Sequence, residues 1–152
     1  MTYAFKTKPF DHQRLAFNDS WAAPYWGLLM EMGTGKTKVA IDTMGALFEA
    51  GKIDTALVVA PKGVYDNWVK GEIPIHLPDR IPRKVTRWSP KTTKSYHEEL
   101  RELIYGDFDG LKIFVMNVEA FSTKKGVGVA ATYLRRTPIA SSSWTRARRS
   151  KI

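Results

Sequence analysis

Apolar residues follow two rhythms along this chain. Trp26-Gly27-Leu28-Leu29-Met30, Thr55-Ala56-Leu57-Val58-Val59-Ala60 and Leu111-Lys112-Ile113-Phe114-Val115-Met116-Asn117 are short, nearly unbroken runs. Runs of that length and composition predict buried strands. Between them the apolar positions recur three and four apart, which predicts helices. One helix is expected from about Lys36 to Ala50, with Ala40, Thr43, Met44, Leu47 and Phe48 on one face and a stop at Gly51. A second is expected from Val64 to Ile73, with Trp68 and Val69 inward. A third is expected from Lys91 to Tyr105, with Tyr96, Leu100, Leu103 and Ile104 inward. Asp11 to Asn18 reads as a short helix that Asp11 can cap. Pro74, Pro78 and Pro82 are expected to break the chain before a further strand at Arg83 to Trp88. Strands alternating with helices of this length imply an α/β fold with a mainly parallel sheet flanked by helices. Ligands then bind at the carboxyl ends of the strands. No internal repeat is visible.

The stretch Met30-Glu31-Met32-Gly33-Thr34-Gly35-Lys36-Thr37 lies between the first apolar run and the first long helix. Strand, glycine-rich turn, Gly-Lys-Thr and helix are the context that makes a phosphate-binding loop. Gly33 and Gly35 let backbone N–H groups curl inward toward phosphate oxygens, and the helix N-terminus adds partial positive charge. Gly33, Thr34, Gly35, Lys36 and Thr37 are therefore candidate nucleotide-binding residues. Lys36 would reach the β- and γ-phosphates of ATP, and the Thr37 hydroxyl would ligate Mg²⁺. The general loop pattern carries a further Gly, and Met30 stands in that place.

Composition narrows the class. The chain has 152 residues, enough for one domain, and its 43% hydrophobic content can supply a core. It contains no cysteine, which excludes disulfides and thiolate metal sites. No stretch approaches the roughly 18 apolar residues of a membrane span, so no membrane partner is expected. The first ten residues lack a signal-peptide core, and a cytoplasmic setting is expected. The net charge of +9 suggests nucleic acid, but it is unevenly spread. From Tyr133 to Ile152 there are six basic residues and no acidic one, leaving 18 basic and 15 acidic in the first 132.

Four blocks together resemble the first motor lobe of superfamily 2 helicases, most closely the Swi/Snf-like DNA translocases, which include phage and bacterial members. Lys8-Pro9-Phe10-Asp11-His12-Gln13 resembles the upstream adenine-recognition motif, about twenty residues before the loop. The resemblance implies that Gln13 contacts the adenine edge, which a carboxamide suits; on its own Gln13 reads as an exposed helix residue, and its place about twenty residues before the loop favours the adenine contact. Glu31 to Thr37 resembles the family's first motif, whose short Gly-x-Gly-Lys-Thr form is typical of helicases. Leu57 to Trp68, a strand ending in Pro61 and leading to Asn67-Trp68, resembles the second block. It implies nucleic-acid contact, with Lys62 on a phosphate; Trp68 itself reads as core. Val115-Met116-Asn117-Val118-Glu119-Ala120-Phe121 resembles a further block. Asn117 there is either a nucleic-acid contact or a turn residue or helix cap. The resemblance spans about residues 6–138 and implies a RecA-like phosphate-loop domain that takes ATP, Mg²⁺ and duplex DNA.

The resemblance also implies an apolar strand ending in Asp-Glu, about a hundred residues after Lys36, to hold the metal and orient water. No Asp or Glu follows Glu119. The genetic code suggests where such a pair lies. Read two nucleotides later, Trp144-Thr145 must encode Asp, because Trp ends in G and Thr begins with AC. Neighbouring junctions permit Val-Val-Val before it and Glu after it. Residues 1–138 are therefore expected to form a partial ATP-binding lobe, incomplete at its C-terminus, and 139–152 a basic tail read out of frame. The second lobe of the family is missing from this chain. The function expected is that of an ATP-binding first lobe of a Swi/Snf-like DNA-dependent ATPase, hydrolytically incompetent as it stands, with no catalytic residue in frame. The alternative is a nucleotide-binding module without turnover that contacts nucleic acid through the tail. A small-molecule kinase is a third class, disfavoured by Gln13 and by the block from Ala60 to Trp68.

Overall fold

A computed structural model describes residues 2–136. The tail at 139–152, with its expected frame change, lies outside the described residues. Helix α1 is Asp11–Ser20, α2 is Lys36–Glu49 and strand β1 is Thr55–Ala60. Helix α3 (Tyr65–Asn67) and helix α4 (Ile73–His76) are joined by a π turn at Trp68–Glu72. Strand β2 is Arg83–Arg87, helix α5 is Lys94–Tyr105 and strand β3 is Leu111–Asn117. Helices α6 (Val118–Phe121) and α7 (Lys124–Arg136) follow.

The three strands form an all-parallel sheet in the order β1-β3-β2. Thr55 lies opposite Lys112 and Ala60 opposite Asn117, while Arg83 lies opposite Leu111. Every residue of the central strand β3 is buried, as expected for a strand covered on both faces. Its side chains alternate between two cores. Leu111, Ile113 and Val115 join Val39 and Ile41 of α2, Ile73 of α4, and Leu77 and Ile81. Phe114 and Met116 join Leu103 and Ile104 of α5 and Ala130 and Tyr133 of α7. The Tyr133 hydroxyl lies 3.1 Å from the carbonyls of both Ala56 on β1 and Lys112 on β3 and shares its one proton between them, tying α7 to two strands.

The chain thus has a small, open α/β architecture with helices on both faces. No helix among the described residues is long and apolar enough to cross a membrane.

Several sequence expectations are corrected. Residues 26–30 form no strand: β1, β2 and β3 pair only with one another among the described residues, and the Leu29 N–H donates to the Gly27 carbonyl at 3.1 Å within the segment. Leu29 is 99% exposed, far from the buried strand its apolarity predicted. On α2 the buried side chains are Lys38, Val39, Ile41, Asp42 and Ala46, beside Gly45, and the predicted face is only half-buried. The N-terminal segment sets this rotation: a Cβ on Gly45 would overlap the Tyr3 hydroxyl. Tyr3, Phe5 and Phe17 pack ring against ring there, with centroids 5.1–5.5 Å apart. Phe10, not Asp11, occupies the N-cap of α1. Pro74 does not break the chain but sits inside α4. The preceding turn uses five-residue spacing, with Ile73 N–H donating to the Trp68 carbonyl. Its extra width accommodates a ring that would otherwise clash with the carbonyl four residues back.

Candidate functional site

The sequence of residues 32–37 dictates the loop. Gly33 has φ 77° and Gly35 φ 83°, left-handed values that a side chain would strain. Gly35 is the N-cap of α2, so the turn delivers the chain directly into a 14-residue helix. A Cβ on Gly35 would also overlap the Gln13 amide nitrogen and push that side chain off the loop.

Gln13 is 5% exposed and braces this loop. Its amide nitrogen donates to the Thr34 carbonyl at 3.1 Å, and its amide oxygen accepts from the Phe10 N–H at 3.0 Å. His12 Nε2 lies 3.0 Å from the same Thr34 oxygen. The Thr34 hydroxyl donates to the Glu31 carbonyl at 2.6 Å. Lys36 folds back along the loop, its ammonium donating to the carbonyls of Met30 (2.7 Å) and Glu31 (2.9 Å). The Thr37 side chain has no hydrogen-bond partner among the described residues.

The five loop residues and Gln13 therefore meet in one place, as the motif spacing required. Left-handed glycines, a helix N-terminus and an ammonium suit a phosphate chain. For Mg²⁺ the donor set is thinner: no group of three or more His, Asp or Glu among the described residues could hold a metal. The Thr37 hydroxyl would supply one oxygen, and the nucleotide's own phosphates would bring the ion with them.

Behind the loop, α2 carries a buried ion pair. Lys38 Nζ lies 2.7 Å from Asp42 Oδ2, with side chains 6% and 2% exposed. The ammonium also sits 5.3 Å from the Phe5 ring centroid. Asp42 Oδ1 and the Tyr3 hydroxyl are buried without a partner. Burial pushes the Asp42 carboxyl above its ordinary range, and Lys38 opposes that rise.

A second locus lies at the carboxyl ends of the strands. Lys62 follows β1, Trp88 follows β2 and Asn117 ends β3; all three line one cavity of about 500 Å³. The cavity contains no residue of the Gly33–Thr37 loop. Lys62 is exposed and has no hydrogen bond or ion pair among the described residues. Asn117 is 7% exposed, and its side-chain oxygen accepts from the Ala120 N–H at 2.7 Å, capping α6. Its side-chain nitrogen keeps its donors. Trp68 is half-buried against the first core, as the helical spacing indicated. Glu119, Thr123 and Lys125 also line the cavity. Sequence patterns missed them, because the two glycines in Lys124–Arg136 hid the helix α7 that positions Lys125.

No protein-family model matches the chain, and no curated protein matches it.

Proposed function

We propose that this chain is the ATP-binding first lobe of a Swi/Snf-like DNA-dependent ATPase, with a RecA-like phosphate-loop fold. The observation that carries the reading is the loop from Gly33 to Thr37, with two left-handed glycines feeding the N-terminus of α2. Backbone N–H groups of the loop would hold the phosphates, and Lys36 would swing from the carbonyls of Met30 and Glu31 to their oxygens. Gln13, held against Thr34, keeps one amide N–H and one lone pair for the adenine edge. The parallel sheet supports the reading, since its carboxyl ends gather Lys62 and Asn117 on one surface for nucleic acid.

No Asp or Glu follows Glu119 in the 152 residues, so the chain binds nucleotide without the carboxylate pair that positions metal and water. Titration calorimetry tests the reading: ATP binds the wild-type chain, and Lys36→Ala abolishes the heat. Equal affinity in the variant would overturn it.

A further inference from the structure

The two edges of the sheet are built differently. Strand β2 carries Arg83, Lys84 and Arg87, charges of the kind that protect an edge from pairing with another chain. Strand β1, at the other edge, reads Thr55-Ala56-Leu57-Val58-Val59-Ala60, with no charge and no proline. The Lys112 N–H of β3 donates to the Asp54 carbonyl at 2.9 Å. The backbone groups of Ala56, Val58 and Ala60 therefore face β3, and those of Thr55, Leu57 and Val59 face outward. No backbone hydrogen bond reaches those outward groups among the described residues. Helix α7 adds a second unpartnered surface over this strand. Its Ala130 and Tyr133 pack with Leu57 in the second core. Val127, Ala131 and Leu134 fall about a quarter-turn away on one flank, and Val127 and Leu134 are exposed, as is Val59. Val129 on the opposite flank packs into the core that α5 closes over β2, which leaves the Val127 flank toward the open edge.

We propose that β1 pairs antiparallel with β1 of a second copy of this chain, about a two-fold axis at Leu57. Nothing in this pairing depends on nucleotide binding. In that register Leu57 opposes Leu57 and Thr55 opposes Val59, and each opposed pair exchanges two backbone hydrogen bonds. The outward residues of one copy thus satisfy those of the other. The sheets join in the order β2-β3-β1-β1-β3-β2, with a charged strand at each end. A contact of the same patch with itself closes at two copies. The axis stands perpendicular to the sheet, so both α7 helices lie on one face, and their Val127–Leu134 flanks meet across it. The chain's own remaining residues are the other occupant to consider. Residues 137–152 contain Pro138, four serines and no apolar run longer than Ile139-Ala140, which is poor material for a strand.

The test is sedimentation velocity on the full chain from low to high micromolar concentration, with hydrogen exchange read amide by amide at both ends of the range. A monomer–dimer equilibrium is expected. Salt should tighten it, because the paired surfaces are uncharged while each copy carries +9. The amides of Leu57 and Val59 should exchange freely in the dilute monomer and gain protection in the dimer. Those of Ala56 and Val58, which face β3, should be protected in both. Val59→Lys, at an exposed position, should weaken pairing about tenfold or more and leave the circular dichroism unchanged. Leu134→Glu should weaken it as well. A chain that stays monomeric throughout overturns the proposal. So does a dimer in which Leu57 and Val59 gain no protection, a result that depends on no variant folding. Protection of these amides in the dilute monomer means that the chain covers its own edge, and it overturns the proposal too. Assembly beyond two copies overturns the closed two-fold pairing. Unchanged pairing in Leu134→Glu overturns the share of α7 alone.

Discussion

The Gln13 amide nitrogen donates to the Thr34 carbonyl at 3.1 Å, and it lies where a Cβ on the left-handed Gly35 would displace it. An upstream helix thereby grips the backbone of the Gly33–Thr37 loop. Gln13→Ala should weaken ATP and GTP together by loosening the loop, and should weaken ATP further by removing the group that reads adenine. One lost hydrogen bond amounts to about 0.5–1.5 kcal/mol, a few-fold to tenfold in affinity. The ratio of ATP to GTP affinities, measured in both proteins, separates the two effects. An unchanged ratio would leave Gln13 as a brace only.

Lys36 should matter far more to binding than to folding. Its partners in this structure are two backbone carbonyls of an exposed loop, so Lys36→Ala should shift the unfolding midpoint little. Nucleotide affinity should vanish, because the charge opposite the phosphates is gone. Thermal melts with and without ATP check both halves: the variant should melt like the wild type and show no ligand-induced rise.

How much of this was legible beforehand depends on whether the signal was local. The turn at Gly33–Thr37 was readable because the loop chemistry lies within eight consecutive residues. Strand β3 was readable because burial on both faces demands an unbroken apolar run; β1 has such a run too, yet it is an edge strand, mostly half-buried with Val59 41% exposed, so its burial was over-read. Trp26–Met30 has the same composition yet no ladder, since a strand also needs a neighbour, and composition cannot supply one. The buried face of α2 is set by Tyr3, more than thirty residues away in sequence, so helical spacing alone placed it wrongly. The brace between Gln13 and Thr34 is equally non-local; the motif resemblance marked Gln13 but not this contact.

Turnover is the third expectation. The 152-residue chain should show little or no ATP hydrolysis, with or without DNA, because no carboxylate pair follows Glu119. Losing such groups typically raises the barrier by several kcal/mol, and each 1.4 is about tenfold in rate. Restoring the shifted reading frame near Ala140 should recreate an apolar strand ending in Asp-Glu. Robust DNA-stimulated release of phosphate by the unaltered chain would contradict this.

The buried pair on α2 gives a fourth. Asp42→Ala strands the Lys38 ammonium among buried groups and should cost about 3–5 kcal/mol, whereas Lys38→Met with Asp42→Leu should come close to wild type. The pH dependence follows from the raised Asp42 pKa. The folded state binds that proton more tightly than the unfolded state. The residue's contribution to stability therefore falls as pH rises from the ordinary carboxylate value through the raised one. Chemical denaturation across the acid range should show that slope in the wild type and lose it in the double variant.

The π turn at Trp68–Glu72 gives the segment between β1 and β2 one residue of slack. Each residue of a regular helix turns the chain by about 100°, so an extra residue would swing everything after it to another face. The widened turn takes up that residue, and Ile73 and Leu77 still arrive facing the sheet, 1% and 0% exposed. Deleting Gly71 would let the turn close regularly with both side chains on the same face. It would press the Pro74 ring against the carbonyl four residues before it. The widened turn works as an expansion joint: it absorbs length without changing which face of the segment is the inside.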